Sequence, residues 1–202
     1  MRKLVGFWLV AMVGCSDSGT AEPKVCPVDE AIPDAGTLTA LAADRCNVSG
    51  SMGLRKWYRL AATLPDGAIV QVELFDGAGA FVGGSVRAGT FPVETSFGSC
   101  GVCLRAIGDK GMETETEYFG TGGTVNITAI GIGGAPISAS VTGATFAEVD
   151  ADHVAVGGGC TASLAGVKID GVLVERGGTG GGGGGGGGTG TGTCPATVGD
   201  TF

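Results

Sequence analysis

The sequence predicts an all-β protein: an antiparallel β-sandwich or jelly roll, stapled by disulfides and followed by a flexible glycine-rich tail. Three observations predict it. Short apolar runs alternate at a period of two and recur about every ten residues with glycine between them, the pattern of strands and turns in two-layer β folds. No long window carries an apolar period of 3.6, so no amphipathic helix of useful length is encoded. The 202 residues include 42 glycines, yet 43% of the chain is apolar and only 16% charged, a balance that excludes a charged disordered protein. With 7 prolines and no three-residue glycine period, collagen is excluded as well.

Residues 26–176 make up the predicted domain. From 26 to 44 the pattern favours loop with one extended segment; residues 38–44 have room for two helical turns at most, and Pro33 and Gly36 argue against them. The first clear strand is 57–63, where Trp57, Arg59 and Ala61 alternate with Tyr58, Leu60 and Ala62. Leu64-Pro65-Asp66-Gly67 supplies a turn. Residues 69–75 then return with Val70, Val72 and Leu74 on one face and Gln71 and Glu73 on the other, completing a hairpin. Further strands are expected at 81–86, 91–97, 102–107, 116–119, 124–132, 137–141, 145–149, 154–156 and 160–174, the last broken near Gly166. Residues 177–193 contain thirteen glycines and four threonines. They have no large side chain to bury and maximal backbone entropy to lose, so they read as a flexible linker, with 194–202 as a short tail.

The N-terminus carries an address. Arg2 and Lys3 precede an apolar run of ten residues, 4–13, interrupted by Gly6. A helix needs roughly twenty residues to cross a hydrocarbon core about 30 Å thick, so this run is the core of an export signal. Met12-Val13-Gly14-Cys15 resembles the lipobox of bacterial lipoproteins, with Met12 where leucine is usual. The resemblance implies a cleaved signal at 1–14, a diacylglyceryl and palmitate-type anchor on Cys15, and a polar tether over 15–25. Acyl chains contributing about 0.8 kcal/mol per buried CH₂ hold such a protein on a membrane without a spanning helix. Ser16 stands where an aspartate would favour the inner membrane, so the outer membrane is the expected location. Loss of Arg2 and Lys3 takes the net charge from −8 to −10, which excludes nucleic acid and other polyanions as partners.

With Cys15 assigned to lipid, an even set remains: Cys26, Cys46, Cys100, Cys103, Cys160 and Cys194. In an exported chain these read as three disulfides. Cys100 and Cys103 would bond across a turn at Gly101-Val102, or find other partners if the strand runs straight. Cys194, beyond the linker, would reach back to Cys26 or pair with another molecule.

Residues that might carry chemistry are few. The Cys100/Cys103 pair has the spacing of a redox couple, but no helix follows to depress a thiol pKa, and no second close pair completes a zinc site. His153, beside Asp150 and Asp152, has no serine placed for it and reads as a turn residue. Glu113, Glu115 and Glu117 alternate along an expected strand, about 7 Å apart in succession, and cannot converge on one calcium ion; they read as a solvated edge. Gly120-Thr121-Gly122-Gly123-Thr124 leads into a strand and not a helix, which defeats a phosphate cradle. No catalytic residue, metal or cofactor is expected.

Cys100-Gly101-Val102-Cys103-Leu104-Arg105-Ala106, Tyr118-Phe119-Gly120-Thr121-Gly122-Gly123-Thr124-Val125 and Gly159-Cys160 together resemble a group of exported, β-rich lipoproteins of myxobacteria-like genomes. The resemblance spans residues 46–175 and implies an envelope location with no assigned activity. The expected function is a lipid-anchored, non-enzymatic structural or adhesive module of the cell envelope, with an envelope protein or glycan as partner. The alternatives are a solute- or glycan-binding lipoprotein using a face around Trp57 and Tyr58, and an envelope thiol-disulfide oxidoreductase using Cys100 and Cys103.

Overall fold

The structure, a computed structural model, describes residues 24–50 and 53–176. The expected signal, the expected lipid site Cys15, the glycine-rich stretch and Cys194 all lie outside the described residues. The described chain is all-β, with eleven strands and one 3₁₀ turn at Gly79–Phe81. The strands are β1 Ala31–Ile32, β2 Thr37–Thr39, β3 Ala42–Gly50, β4 Gly53–Thr63, β5 Ile69–Phe75 and β6 Gly89–Pro92. They continue with β7 Val102–Gly108, β8 Thr116–Ala129, β9 Pro136–Val149, β10 Thr161–Val172 and β11 Val174–Glu175.

All strands belong to one sheet in the order β1-β10-β9-β8-β7-β5-β4-β3-β11, with β2 also on β10 and β6 also on β8. The long strands pair antiparallel. Three short pieces pair parallel, β1 and β2 on β10 and β11 on β3. One residue separates β10 from β11, yet β11 adds to β3 at the far end of the order. The sheet is therefore folded over on itself into two layers, open and not closed as a barrel. Its inner face holds one apolar core, in which Leu60, Val72 and Leu104 from adjacent strands meet Val141, Leu164 and Ile169 from the opposing layer.

Two glycines are required by geometry. Gly123 has φ +116°, and a Cβ there would lie 2.7 Å from the Ala144 Cα. It sits where the register of β8 against β9 shifts, a bulge that bends two fourteen-residue strands so that the sheet can fold over. A Cβ on Gly101 would lie 2.1 Å from the Ala78 carbonyl oxygen, so the segment ahead of β7 packs closely on the 3₁₀ turn.

Several expected elements differ. Residues 81–86 are turn and not strand, because Gly83 takes a left-handed φ of 73°; Phe81 instead plugs the core edge-on to Phe91, with ring centroids 4.9 Å apart. The strand expected over 91–97 ends at Pro92. Of 154–156, only Ala155 bridges, to Val149. β10 runs unbroken through Gly166 and stops short of Leu173. β3 was not anticipated, and neither were the parallel pieces, which at two or three residues carry no readable period.

Two disulfides staple the domain. Cys26 bonds Cys160 with Cα atoms 5.8 Å apart, which overturns the expected reach-back of Cys194 to Cys26. Cys100 bonds Cys103 across Gly101-Val102, Cα atoms 5.7 Å apart. Cys46 is disulfide-bonded too, to a partner outside the described residues.

Candidate functional site

Strands β5 and β7 are buried on both faces along their whole length. The period of two sends Val70, Val72 and Leu74 to the core and leaves Gln71 and Glu73 on the outer face with Arg105 of β7. Register places Asp44 of β3 opposite Arg59 of β4, and Arg59 opposite Glu73 of β5. Arg105 stands opposite Gln71, one step along from Glu73. The result is a row of alternating sign, Asp44, Arg59, Glu73, Arg105 and Glu117, crossing five adjacent strands.

The row is desolvated. Arg105 is 0% exposed, Glu73 and Asp44 1%, and Arg59 6%. Arg59 donates from Nε and Nη2 to Asp44 Oδ2 at 3.2 and 2.6 Å, and Arg176 donates from Nε to Asp44 Oδ1 at 2.7 Å. Arg105 donates from Nε and Nη2 to Glu117 Oε1 at 2.8 and 2.7 Å. Its Nη1 lies 3.5 Å from Glu73 Oε1, which also accepts from Gln71 Nε2. Three carboxylates thus face three guanidiniums along the row. The Arg59 guanidinium also lies 5.1 Å above the Trp57 ring, a cation–π contact. Chemically the arrangement is a clasp: each charge holds a neighbour on the next strand.

Burial pushes the Glu73 carboxyl above its ordinary value, while Arg105, Gln71 and Arg59 pull it down. Because the folded protein holds this proton more tightly than the unfolded chain, stability falls as pH rises above the unfolded value of about 4.5 and levels off past the folded one. Urea unfolding at a series of pH values should therefore give a difference, wild type minus Glu73→Gln, that is most favourable to wild type in acid and declines as pH rises. A difference that is flat, or that grows with pH, contradicts this.

His153 closes one end of the row. Its backbone is left-handed, φ 58°, in a turn where the Asp150 carboxylate accepts from the N–H groups of Asp152 and Val154 at 3.0 and 2.9 Å. The ring stacks on Phe97, centroids 3.6 Å apart. Its Nδ1 lies 3.3 Å from Glu117 Oε1, within ion-pair range, but is not aligned for a hydrogen bond. The carboxylate nearest its ring nitrogen is thus Glu117 and not the flanking aspartates.

The remaining expected site residues are dispersed. Glu113 and Glu115 lie in the turn before β8, so the three glutamates do not alternate along one strand. Glu115 accepts from Gly111 N at 2.7 Å and from Lys110 Nζ at 3.1 Å, contacts that lower its pKa with the Gly111 bond foremost. Among the described residues no three His, Cys, Asp or Glu side chains are grouped to hold a metal. Trp57 and Tyr58 are 1% and 5% exposed: Trp57 packs on Phe75, and the Tyr58 hydroxyl accepts from Arg45 Nε at 3.2 Å. They are core residues and do not form an open aromatic platform. Cys100 and Cys103, 6% and 1% exposed, pack with Phe97 and Phe119 ahead of a strand and not a helix. A shallow cleft of about 500 Å³ beside them is lined by Glu94, Ser96 and Ser99, and the Glu94 carboxylate is already engaged by the N–H groups of Gly101 and Val102.

Fold and site together define a disulfide-stapled, all-β domain with a buried charged row on its outer face. The chain matches no family model, no curated protein and no solved structure.

Proposed function

We propose that this protein is a lipid-anchored component of the bacterial cell envelope whose β-sandwich acts as a non-enzymatic structural or adhesive module. The observation that carries the reading is the bridging of Cys26 to Cys160 and of Cys100 to Cys103, since stable disulfides belong to oxidising compartments and the signal-like N-terminus leads to one. The body also begins close to the anchor. Lys24 already donates to Glu148 Oε1 at 2.7 Å, and Cys26 is tied to the start of β10, so only a short tether separates lipid from domain. A folded-over sheet whose central face is locked by ion pairs is a rigid body, suited to display on a membrane.

Growth with radiolabelled palmitate tests the reading. Label is expected on the wild-type protein and lost in Cys15→Ala. Failure of the wild type to take label, or equal labelling of both, overturns it.

A further inference from the structure

The loop between β6 and β7, residues 93–101, packs over the Glu117 end of the charged row. Ser96 O accepts from the N–H groups of Ser99 and Cys100 at 3.1 and 2.9 Å, a tight turn that presents Phe97. The Phe97 ring stacks on His153 with centroids 3.6 Å apart and meets Phe119 edge-on at 5.4 Å, packed against Cys100 and Cys103. We propose that this loop is a redox-sensitive strap: the Cys100–Cys103 disulfide latches Phe97 over His153 and Phe119, and Glu94 sets the latch by shaping the turn between the two cysteines.

The seat of Glu94 is built for a carboxylate. Its Oε2 accepts from the N–H groups of Gly101 and Val102, the two residues between the cysteines, and its own N–H donates to Val102 O at 3.0 Å. Gly79 has φ +45°, and a Cβ there would overlap both carboxylate oxygens. Gly101 O accepts from Phe75 N at 3.0 Å, which ties the turn to β5. Charge-assisted bonds to two successive N–H groups fix the direction of that backbone. The turn so held brings the Cys100 and Cys103 Cα atoms to 5.7 Å, inside the reach of a disulfide. Glu94 is thus a positioning residue, acting on the bridge through the backbone.

Opening the latch leaves the body folded. The bridge spans a separation of three residues, so it restricts the unfolded chain little, and Cys26–Cys160 remains as a staple. Cys100 lines the shallow cleft of about 500 Å³ beside Glu94 and Ser96, whereas Cys103 is 1% exposed, so an incoming thiolate meets the Cys100 sulfur. A bond forms to Cys100 Sγ, the Cys100–Cys103 bond breaks, and Cys103 leaves as a thiolate that takes a proton from solvent. The second thiol of a dithiol reductant then attacks the mixed disulfide and releases Cys100 as a thiol. The dithiol is oxidised to a disulfide, and its two electrons reduce the bridge.

The chain holds one histidine, so the His153 ring protons report the strap directly by nuclear magnetic resonance. In the intact, tag-free protein at one fixed pH, reduction of Cys100–Cys103 by dithiothreitol is expected to shift these resonances by removing the Phe97 ring current, and reoxidation to restore them. The double variant Cys100→Ser with Cys103→Ser should show the shifted resonances without reductant. Its Cys26–Cys160 peptide pair and circular dichroism confirm that it is folded. His153 resonances in the folded double variant that coincide with those of the oxidised wild type overturn the strap.

The role of Glu94 is read by alkylating thiols across a dithiothreitol series and weighing the peptides. Glu94→Ala is expected to open Cys100–Cys103 at roughly tenfold lower dithiol, the worth of one charge-assisted hydrogen bond. Glu94→Gln, which keeps an acceptor oxygen, should fall between it and the wild type, and Cys26–Cys160 should open at the same concentration in all three. Equal opening of Cys100–Cys103 in the three proteins, or a joint shift of both bridges, overturns the assignment of Glu94. Neither readout depends on the lipid anchor.

Discussion

Replacement of Arg105 by leucine is expected to destabilise the domain by about 3–5 kcal/mol, the cost of leaving one member of a buried ion pair without its partner. Arg105 is 0% exposed and stands between Glu73 and Glu117. Removing it leaves the buried Glu73 carboxylate without its guanidinium partner. A double variant, Glu73→Leu with Arg105→Leu, should recover most of the loss, because exchanging both partners for apolar groups of similar volume is close to neutral. Urea unfolding of the wild type, the single variant and the double variant decides it. A single-variant loss below about 1 kcal/mol, the range of an exposed pair, would show that the row is hydrated and the clasp unimportant.

The second large effect is expected from the Cys26–Cys160 bridge. Replacing both residues by serine should cost about 2–5 kcal/mol, since the bond closes a separation of 134 residues. It also ties down a segment whose only strands, β1 and β2, add to β10 through short parallel pairings. The same exchange at Cys100 and Cys103, separated by three residues, should cost much less because so small a loop restricts the unfolded chain little. Thermal or denaturant unfolding of the two double variants gives the comparison. Equal losses, or the reverse order, would contradict it.

Much of the sheet was legible from alternation. Where one face of a strand is apolar, as in Val70, Val72 and Leu74 or in Val102, Leu104 and Ala106, parity alone assigns the core, and these residues do line it. β3 escaped because its outer face carries Asp44 and Cys46 and its other positions Arg45 and Asn47, so no apolar stripe marks it; its place comes from pairing with β4, a tertiary property. The parallel additions β1, β2 and β11 escaped for the same reason.

The charged row was the least legible feature. Glu73 and Gln71 were assigned together to the face away from Val72, but Asp44, Arg59, Glu73, Arg105 and Glu117 are far apart in the chain. They become neighbours only once four strand registers are set, and no local pattern encodes a register between non-adjacent strands. The Cys100–Cys103 bridge, by contrast, was one of two outcomes the spacing left open, and the turn at Gly101-Val102 that decides it lies within the same four residues.

The proposed function requires an exported body held by lipid at Cys15 and closed by disulfides. The intact mass of the protein extracted from membranes, taken after alkylation without reduction, tests this in one measurement. The account predicts a chain beginning at an acylated Cys15, with none of the remaining six cysteines alkylated. A chain that retains residues 1–14, or one that carries alkyl groups on Cys15 or on Cys100 and Cys103, would contradict it.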